Sequence, residues 1–113
     1  MAIDVKAELK YYSVSAQKMR LVIDLVRGKM AEDALTTLRF VNKKAAEPVR
    51  KLIASAVANG ENNFGIPSEK LKIYKIVANE APTRKWRRFG ARGRFKPILR
   101  RSSHVNVILR EIE

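Results

Sequence analysis

The sequence contains no cysteine among its 113 residues. This absence excludes disulfides, thiolate zinc sites and cysteine nucleophiles, and it fits a reducing compartment. Long apolar runs are missing as well, because no uninterrupted run exceeds three residues. We therefore expect no transmembrane helix, no apolar segment of a signal peptide and no membrane partner.

Acidic residues are missing from one stretch, and that stretch carries most of the excess positive charge. The chain has 24 Lys and Arg against 11 Asp and Glu, a net charge of +13. Residues 84–101 contain nine basic residues and no acidic one, whereas the rest carries fifteen basic and eleven acidic residues. Basic side chains at this density repel one another unless an external partner neutralises their charge. The pattern is typical of a segment that binds nucleic acid.

Signals for catalysis or metal binding are scarce. The carboxylates are scattered, and the adjacent pair Glu32 and Asp33 is typical of the first turn of a helix. His104, the only histidine, has no acidic residue near it in sequence that could orient its ring, so a structural or RNA-contacting role is favoured. The chain has no phosphate-binding glycine motif and no metal-ligand spacing. We predict no catalytic residue, no metal and no cofactor.

Apolar periodicity predicts a strand followed by three helices. Residues Val5, Ala7, Leu9 and Tyr11 alternate with polar ones and predict a half-buried strand. Ser13 or Ser15 then caps a helix that ends at Gly28 and buries a stripe of Met19, Val22, Ile23, Leu25 and Val26. A second helix is predicted from Ala31 to Val41, and a third from about Lys44 to Ala58, followed by a loop from Asn59 to Ser68. Pro48 requires that the regular third helix begins near it, or that this helix kinks.

The last part of the chain predicts two strands with the basic segment between them. Leu71, Ile73 and Val77 belong to a strand that ends near Glu80, and Val105, Val107 and Leu109 alternate in another. A structureless loop of this length is unusual in a compact domain, so we expect a long β-hairpin extension that projects roughly 25 Å. Residues 1–113 then form one domain, with a globular part of 1–81 and 102–113 and a hairpin of about 82–101.

Two further pairs of basic residues precede the hairpin. Lys18 and Arg20 lie in the first turns of the first helix, where positive charge opposes the helix dipole unless an anion rests on the helix N-terminus. Lys43 and Lys44 open the third helix and could continue the same basic surface. For all four, a solvated helix face is the alternative explanation.

Three sequence motifs resemble one known family. They are the run from Ser15 to Val22 followed by Asp24 to Lys29, the run from Asn42 to Ala46 that leads into Ser55 to Asn59, and the run from Ala91 to Arg94 followed, after nine intervening residues, by His104 to Ile108. Over nearly its whole length the chain resembles the bacterial-type large-subunit ribosomal protein L twenty-two family. The resemblance implies an α+β domain of three helices packed on a three-stranded antiparallel sheet, with a long basic β-hairpin between the last two strands.

The resemblance also implies a function and a set of contacts. A member of the family is a structural constituent of the large ribosomal subunit, aids its assembly and lines the nascent-peptide tunnel with its hairpin tip. The implied partners are large-subunit rRNA, neighbouring ribosomal proteins and the nascent peptide, in a cytoplasmic or organellar ribosome and without a homo-oligomer. The predicted rRNA-binding residues are Lys18, Arg20, Arg27, Lys29, Lys43, Lys44, Arg84, Lys85, Arg87, Arg88, Arg92, Arg94, Lys96, Arg100, Arg101 and His104. The predicted tunnel tip is Lys85, Trp86, Arg87, Arg88, Phe89, Gly90 and Ala91.

Two other classes of protein would use the same charges. A free-standing RNA- or DNA-binding module, such as a regulator or a chaperone, is the first alternative. A cationic membrane-surface protein is the second, but its charge would lie on one amphipathic helix, whereas this charge lies on a segment that contains Gly90, Gly93 and Pro97.

Overall fold

The computed structural model describes residues 3–82, 84–89 and 95–112, with residues 84–89 and 95–100 described by their backbone. Within these residues, five strands, three helices and one short 3₁₀ turn follow one another. In order they are β1 (Asp4–Tyr12), α1 (Ala16–Val26), α2 (Ala31–Arg39), α3 (Ala46–Phe64), the turn Ser68–Lys70, β2 (Leu71–Glu80), β3 (Arg84–Phe89), β4 (Phe95–Arg100) and β5 (Ser103–Glu111).

Three of the strands form an antiparallel sheet in the order β1-β5-β2, and the helices pack on one of its faces. The central strand β5 alternates buried and half-buried residues along most of its length, as expected for a sheet covered on one side. The predicted fold of three helices on a three-stranded antiparallel sheet is therefore confirmed. Strands β3 and β4 pair with each other in a separate antiparallel ladder. That this pair projects from the body stays a prediction, and the residues that join β3 to β4 lie outside the described residues.

The core fills the space between the sheet and the helices. Its largest fully buried side chains include Met19 and Ile23 from α1, Ile53 from α3, Ile76 from β2 and Leu109 from β5. All of these except Ile76 come from apolar positions of a helical or alternating pattern, so their burial follows directly from these two periods. Among the described residues, no helix is long and apolar enough to cross a membrane.

The ends of α1 follow from residues that the sequence singled out. Ser15 is the N-cap, and its Oγ accepts a hydrogen bond from the Lys18 N–H at 3.4 Å. Gly28 adopts a φ of +79° just after the helix, which a residue with a Cβ adopts only at a cost. The predicted burial of Leu25 is wrong, because Leu25 is 44% exposed and lies beside the stripe that faces the sheet.

Helix α3 is longer than the sequence predicted. It continues past Ala58 to Phe64 and ends where Gly65 adopts a left-handed φ of +65°, so the predicted loop from Asn59 is wrong over its first six residues. Gly60 is buried there, and a Cβ on it would lie 3.0 Å from Cδ1 of Leu71. Packing against β2 thus outweighs the weak helix propensity of Asn and Gly. Pro48 is the third residue of α3, where a missing N–H costs no helical hydrogen bond.

Two β-bulges change which side chains face the core. The register of β1 shifts between Leu9 and Tyr12, so Tyr11 is exposed and the expectation that it faces inward is wrong. In β2 the register shifts between Ile73 and Lys75. As a result Ile76 is fully buried, and Val77, which the alternation placed inside, is only half-buried.

Candidate nucleic-acid interface

An open groove of about 1260 Å³ lies at one end of the three-stranded sheet. Chain segments far apart in sequence meet there: the turn between β1 and α1, the residues before α3, and the chain between β2 and β5. Four of the predicted site residues line it, namely Lys18, Lys43, Lys44 and Arg101. The hypothesis that Lys43 and Lys44 continue the basic surface of α1 therefore agrees with the geometry. We call this feature the basic groove.

The described lining of the basic groove contains cations and no carboxylate. Among the residues that the structure describes, none that lines the groove is acidic. Within residues 3–82 and 101–112, the ion pairs involve other cations: Lys10, Arg27, Arg50, Lys51 and Arg110. A concave surface lined by one sign of charge concentrates its field and attracts counter-ions. The groove is therefore suited to bind a polyanion.

Neutral polar groups and a helix terminus add to this surface. Ser13, Gln17 and Ser102 line the basic groove and can donate hydrogen bonds to phosphate oxygens or sugar hydroxyls. Helix α1 begins at the groove and carries no acidic residue in its first turn. The partial positive charge of its N-terminus is therefore available to an anion bound beside Lys18.

The residues that lead into the basic segment also line the groove. Pro82 follows β2 and Arg101 precedes β5, and both line the groove. Ala81 N–H donates to Ser102 O at 3.1 Å, which continues the ladder between these two strands. The chain on either side of residues 83–100 therefore lies at the edge of the basic groove, and the two sets of cations are joined through the chain.

Two predicted site residues, Arg20 and Arg27, lie elsewhere and make structural contacts. Nε of Arg20 donates to Ala78 O at 3.1 Å, and Nη1 of Arg27 donates to Ile76 O at 2.8 Å. Both carbonyls belong to β2, an edge strand of the sheet. An edge strand presents unpaired backbone groups. The two arginines satisfy two of these carbonyls and fasten α1 to the sheet, which the sequence did not indicate.

Lys29 also lies away from the basic groove. Its Nζ donates to Thr37 Oγ1 at 3.3 Å, and its backbone carbonyl accepts from Ile73 N–H at 3.0 Å. The segment after α1 thereby covers another part of the edge of β2. Lys29 is exposed, so its ammonium group faces solvent while its backbone completes the sheet.

His104 contacts the β1 bulge. Its Nδ1 accepts a hydrogen bond from Tyr11 N–H at 3.0 Å, and the two rings meet edge to face with centroids 4.5 Å apart. Tyr11 itself lines the basic groove. Tyr11 is not among the predicted site residues, because its exposure depends on the bulge and strand alternation placed it inside.

The remaining predicted residues belong to the basic segment. Arg84, Lys85, Arg87 and Arg88 lie on β3, and Lys96 and Arg100 lie on β4, whereas Arg92 and Arg94 lie outside the described residues. The register places Arg84 opposite Arg100 and Arg88 opposite Lys96. Like charges directly opposite each other in a sheet are destabilising. A bound polyanion would remove this repulsion.

The predicted tunnel tip falls partly on β3. Lys85, Trp86, Arg87, Arg88 and Phe89 belong to this strand, and Phe89 pairs with Phe95. Gly90 and Ala91 lie outside the described residues.

Charges at the opposite end of the sheet are paired. Asp4 and Arg110 face each other across β1 and β5, and the Arg110 guanidinium donates to the Asp4 carboxylate. This hydrogen bond holds the pKa of Asp4 below its usual range, and the same contact raises the pKa of Arg110. The Arg110 guanidinium also lies 3.4 Å from the centre of the Tyr74 ring. The sheet thus has the Asp4–Arg110 ion pair at one end and the basic groove at the other.

The described residues form a small basic α+β domain with a cationic groove. These features are typical of proteins that bind nucleic acids. The family model described as "Ribosomal protein L22p/L17e" matches residues 7–110, and the chain belongs to this family. It is 50% identical over 106 residues to the "Large ribosomal subunit protein uL22" of Dehalococcoides mccartyi strains BAV1 and CBDB1, with 94% of this chain and 97% of each relative covered. The protein of the same name from strain 195 is 49% identical over the same share. The family is one of structural ribosomal proteins without enzymatic activity.

Proposed function

We propose that this protein is a structural constituent of the large ribosomal subunit and binds large-subunit rRNA through the basic groove and the segment 84–101. The relatives that share half of its sequence carry large-subunit names, which places the expected site of action in the ribosome of the cytoplasm. The observation that carries the rRNA part of the proposal is the groove itself. It gathers Lys18, Lys43, Lys44 and Arg101, and no acidic residue belongs to its described lining.

The kind of ligand follows from the chemistry of the groove. Lysine and arginine bind phosphate through charge-assisted hydrogen bonds, and such contacts supply most of the sequence-independent affinity for nucleic acids. The groove is also wide and open, which suits a folded RNA better than a small anion. Bound rRNA would neutralise the groove and the adjacent segment together, since Arg101 belongs to both.

The segment 84–101 is the second part of the proposal. We propose that residues of about 82–101 extend from a globular part of residues 1–81 and 102–113, as one domain, and reach into rRNA. Residues 85–91 would then be the tip that contacts the nascent peptide in the exit tunnel. The charge of nine cations without an acidic residue supports the contact with rRNA. Neighbouring large-subunit proteins are further expected partners, and we expect no homo-oligomer.

The salt dependence of rRNA binding tests the role of the groove. Each phosphate contact that is lost should reduce the slope of log K against log salt by about 0.7 to 0.9. We expect the triple variant K18Q/K43Q/K44Q to flatten this slope by about two units. The matched control is K70Q/K72Q/K75Q, which removes the same charge from exposed lysines near and on β2, outside the groove.

The two triple variants have distinct outcomes. If the groove binds rRNA, the groove triple loses much more affinity than the control at low salt. Equal losses would mean that only the net charge matters, and an unchanged slope in the groove triple would refute the proposal. Co-sedimentation with large subunits after a high-salt wash separates a ribosomal constituent from a free-standing RNA-binding regulator, which should be released.

Trp86 provides a separate test of the tip. We expect its ring to stack on an unpaired rRNA base, since it lies between Lys85 and Arg87 in the sequence. Trp86→Ala should then raise the chemical reactivity of the neighbouring rRNA nucleotides. If Trp86 faces the tunnel lumen instead, this reactivity stays unchanged and only the passage of the nascent chain is altered.

A further inference from the structure

Tyr11 is an aromatic residue in an unusual position within the basic groove. It is 63% exposed and lines the groove together with Lys18 and Lys44. Its φ is +55°, and within the described residues it is the only non-glycine residue with a positive φ. A bulky residue adopts this conformation only at a cost. Strained residues of this kind persist where the surrounding structure holds them in place.

Two contacts hold Tyr11 in this position. The bulge between Leu9 and Tyr12 takes it out of the regular ladder, so the side chain of Tyr12 is the one that packs against the core. His104 of β5 then accepts the Tyr11 N–H at 3.0 Å and packs edge to face with the ring. The ring is therefore supported on one side and remains mostly open to solvent.

We propose that the Tyr11 ring is a stacking site for one unpaired base of the RNA that occupies the basic groove, with His104 as its positioning residue. This inference rests on the proposed function of the groove. An aromatic ring supplies what the cations cannot, namely a flat surface that binds a base without regard to phosphate charge. A ring held in one orientation before binding loses little conformational freedom when the base arrives.

The surroundings favour a base over an apolar partner. Four cations line the same groove as the ring, and they would have to be desolvated under a protein with an apolar surface. A nucleotide brings its own phosphates to these cations while its base lies on the ring. Nδ1 of His104 accepts the Tyr11 N–H, so the role of His104 in this proposal is to position the ring.

The test compares variants at position 11 with a matched tyrosine at the other end of the sheet. Tyr11→Asn removes the ring and keeps a residue type that tolerates a positive φ. Tyr11→Phe keeps the ring. The control is Tyr74→Asn, because Tyr74 is 56% exposed and also lies at a bulge, in β2, but not in the groove.

Binding to purified large-subunit rRNA is measured over a range of salt concentrations. Stacking contributes to the free energy of binding without releasing counter-ions, so this contribution does not depend on salt concentration. We therefore expect Tyr11→Asn to weaken binding about ten-fold at every salt concentration with an unchanged slope. Tyr11→Phe and Tyr74→Asn should bind within about two-fold of the unmodified protein. His104→Ala should lose part of the same affinity, also without a change of slope.

Chemical probing of the rRNA gives an independent readout. One or a few nucleotides protected in the complex should regain reactivity with Tyr11→Asn and stay protected with Tyr11→Phe. Thermal unfolding of each variant separates a loss of stacking from a loss of fold, and we expect Tyr11→Asn to unfold within a few degrees of the unmodified protein.

The outcomes for the ring and for the groove are distinguishable. If Tyr11→Asn binds and protects rRNA as the unmodified protein does while K18Q/K43Q/K44Q loses affinity, the groove binds RNA but Tyr11 is not a stacking site. If the lysine triple also leaves binding unchanged, the proposed function of the groove itself fails. A loss for Tyr11→Phe equal to that for Tyr11→Asn would assign the effect to the hydroxyl and overturn the stacking role.

Discussion

The globular body and the segment 84–101 use charged residues in opposite ways. In the body, carboxylates stand beside cations, as in the pairs Asp4 with Arg110 and Glu47 with Arg50, and a continuous core lies beneath them. In the segment, nine cations stand without an acidic residue, and the register sets two pairs of them opposite each other. The body therefore supplies the free energy of folding, and the charge of the segment favours a polyanionic partner.

Removal of the segment is the strongest test of this division. The variant joins Pro82 to Arg101 through Asn-Gly and so deletes eight basic residues. We expect its affinity for rRNA to fall by at least about 100-fold at moderate salt, because its phosphate contacts are lost. We expect its free energy of unfolding to change by less than about 1 kcal/mol, because the described core cluster lies within residues 5–78 and 105–109. Urea unfolding and filter binding measure the two quantities, and a deletion variant that does not fold would break the comparison.

A core substitution should have the reverse profile. Ile53 of α3 is fully buried, so Ile53→Ala removes apolar contacts and leaves a cavity. We expect the free energy of unfolding to fall by about 3 kcal/mol, with rRNA affinity unchanged at temperatures where the variant is folded. Ile112→Ala, at a residue 38% exposed, is the control and should cost much less. A large loss of rRNA affinity in folded Ile53→Ala would mean that the core and the RNA-binding surface are coupled.

Lys18, in the first turn of α1, and Arg27, the residue that follows its last turn, test the same division between folding and RNA binding. Arg27→Met leaves the carbonyl of Ile76 without its 2.8 Å donor, so we expect a loss of about 1 kcal/mol of stability. Lys18→Met should leave stability nearly unchanged and weaken rRNA binding through the basic groove. Chemical denaturation and salt-dependent binding are measured for both variants. If Arg27→Met reduces the salt slope as much as Lys18→Met does, Arg27 binds phosphate as well as the sheet edge.

The smallest expected effect concerns acid. The hydrogen bond from Arg110 keeps the pKa of Asp4 below its unfolded value, so the ionised carboxylate stabilises the folded state. This contribution is present above about pH 4 and is lost as the pH falls through the lowered pKa of the folded protein. Asp4→Asn should therefore flatten the decline of stability in acid. Glu61→Gln, which changes an exposed carboxyl of α3, is the control, and an equal effect of both would assign the decline to overall charge.

Much of the fold could be predicted because its signals are local. The stripe of Met19, Val22 and Ile23 and the stop at Gly28 each depend on a few neighbouring residues, and the structure confirms them. The cap was predicted at Ser13 or Ser15, and the structure has it at Ser15. The errors occur where distant packing decides. Helix α3 passes Ala58 because Gly60 fits against Leu71, and the two bulges reverse the alternation of strands that looked regular.

The sequence by itself determined the class of fold, the family and the location of the excess charge. Periodicity, motif spacing and composition are properties of the linear sequence and do not depend on which segments come into contact. The tertiary structure decided which cations meet. It brought Lys18, Lys43, Lys44 and Arg101 to one groove, and it turned Arg20 and Arg27 toward the carbonyls of β2. It also brought Tyr11 into contact with His104, which is 93 positions away in the sequence, and left the Tyr11 ring exposed. These outcomes depend on contacts between segments that only the assembled sheet and helices bring together. A local pattern could suggest that Lys43 and Lys44 continue a basic surface, but it could not show which of the predicted cations join it and which bind the sheet edge.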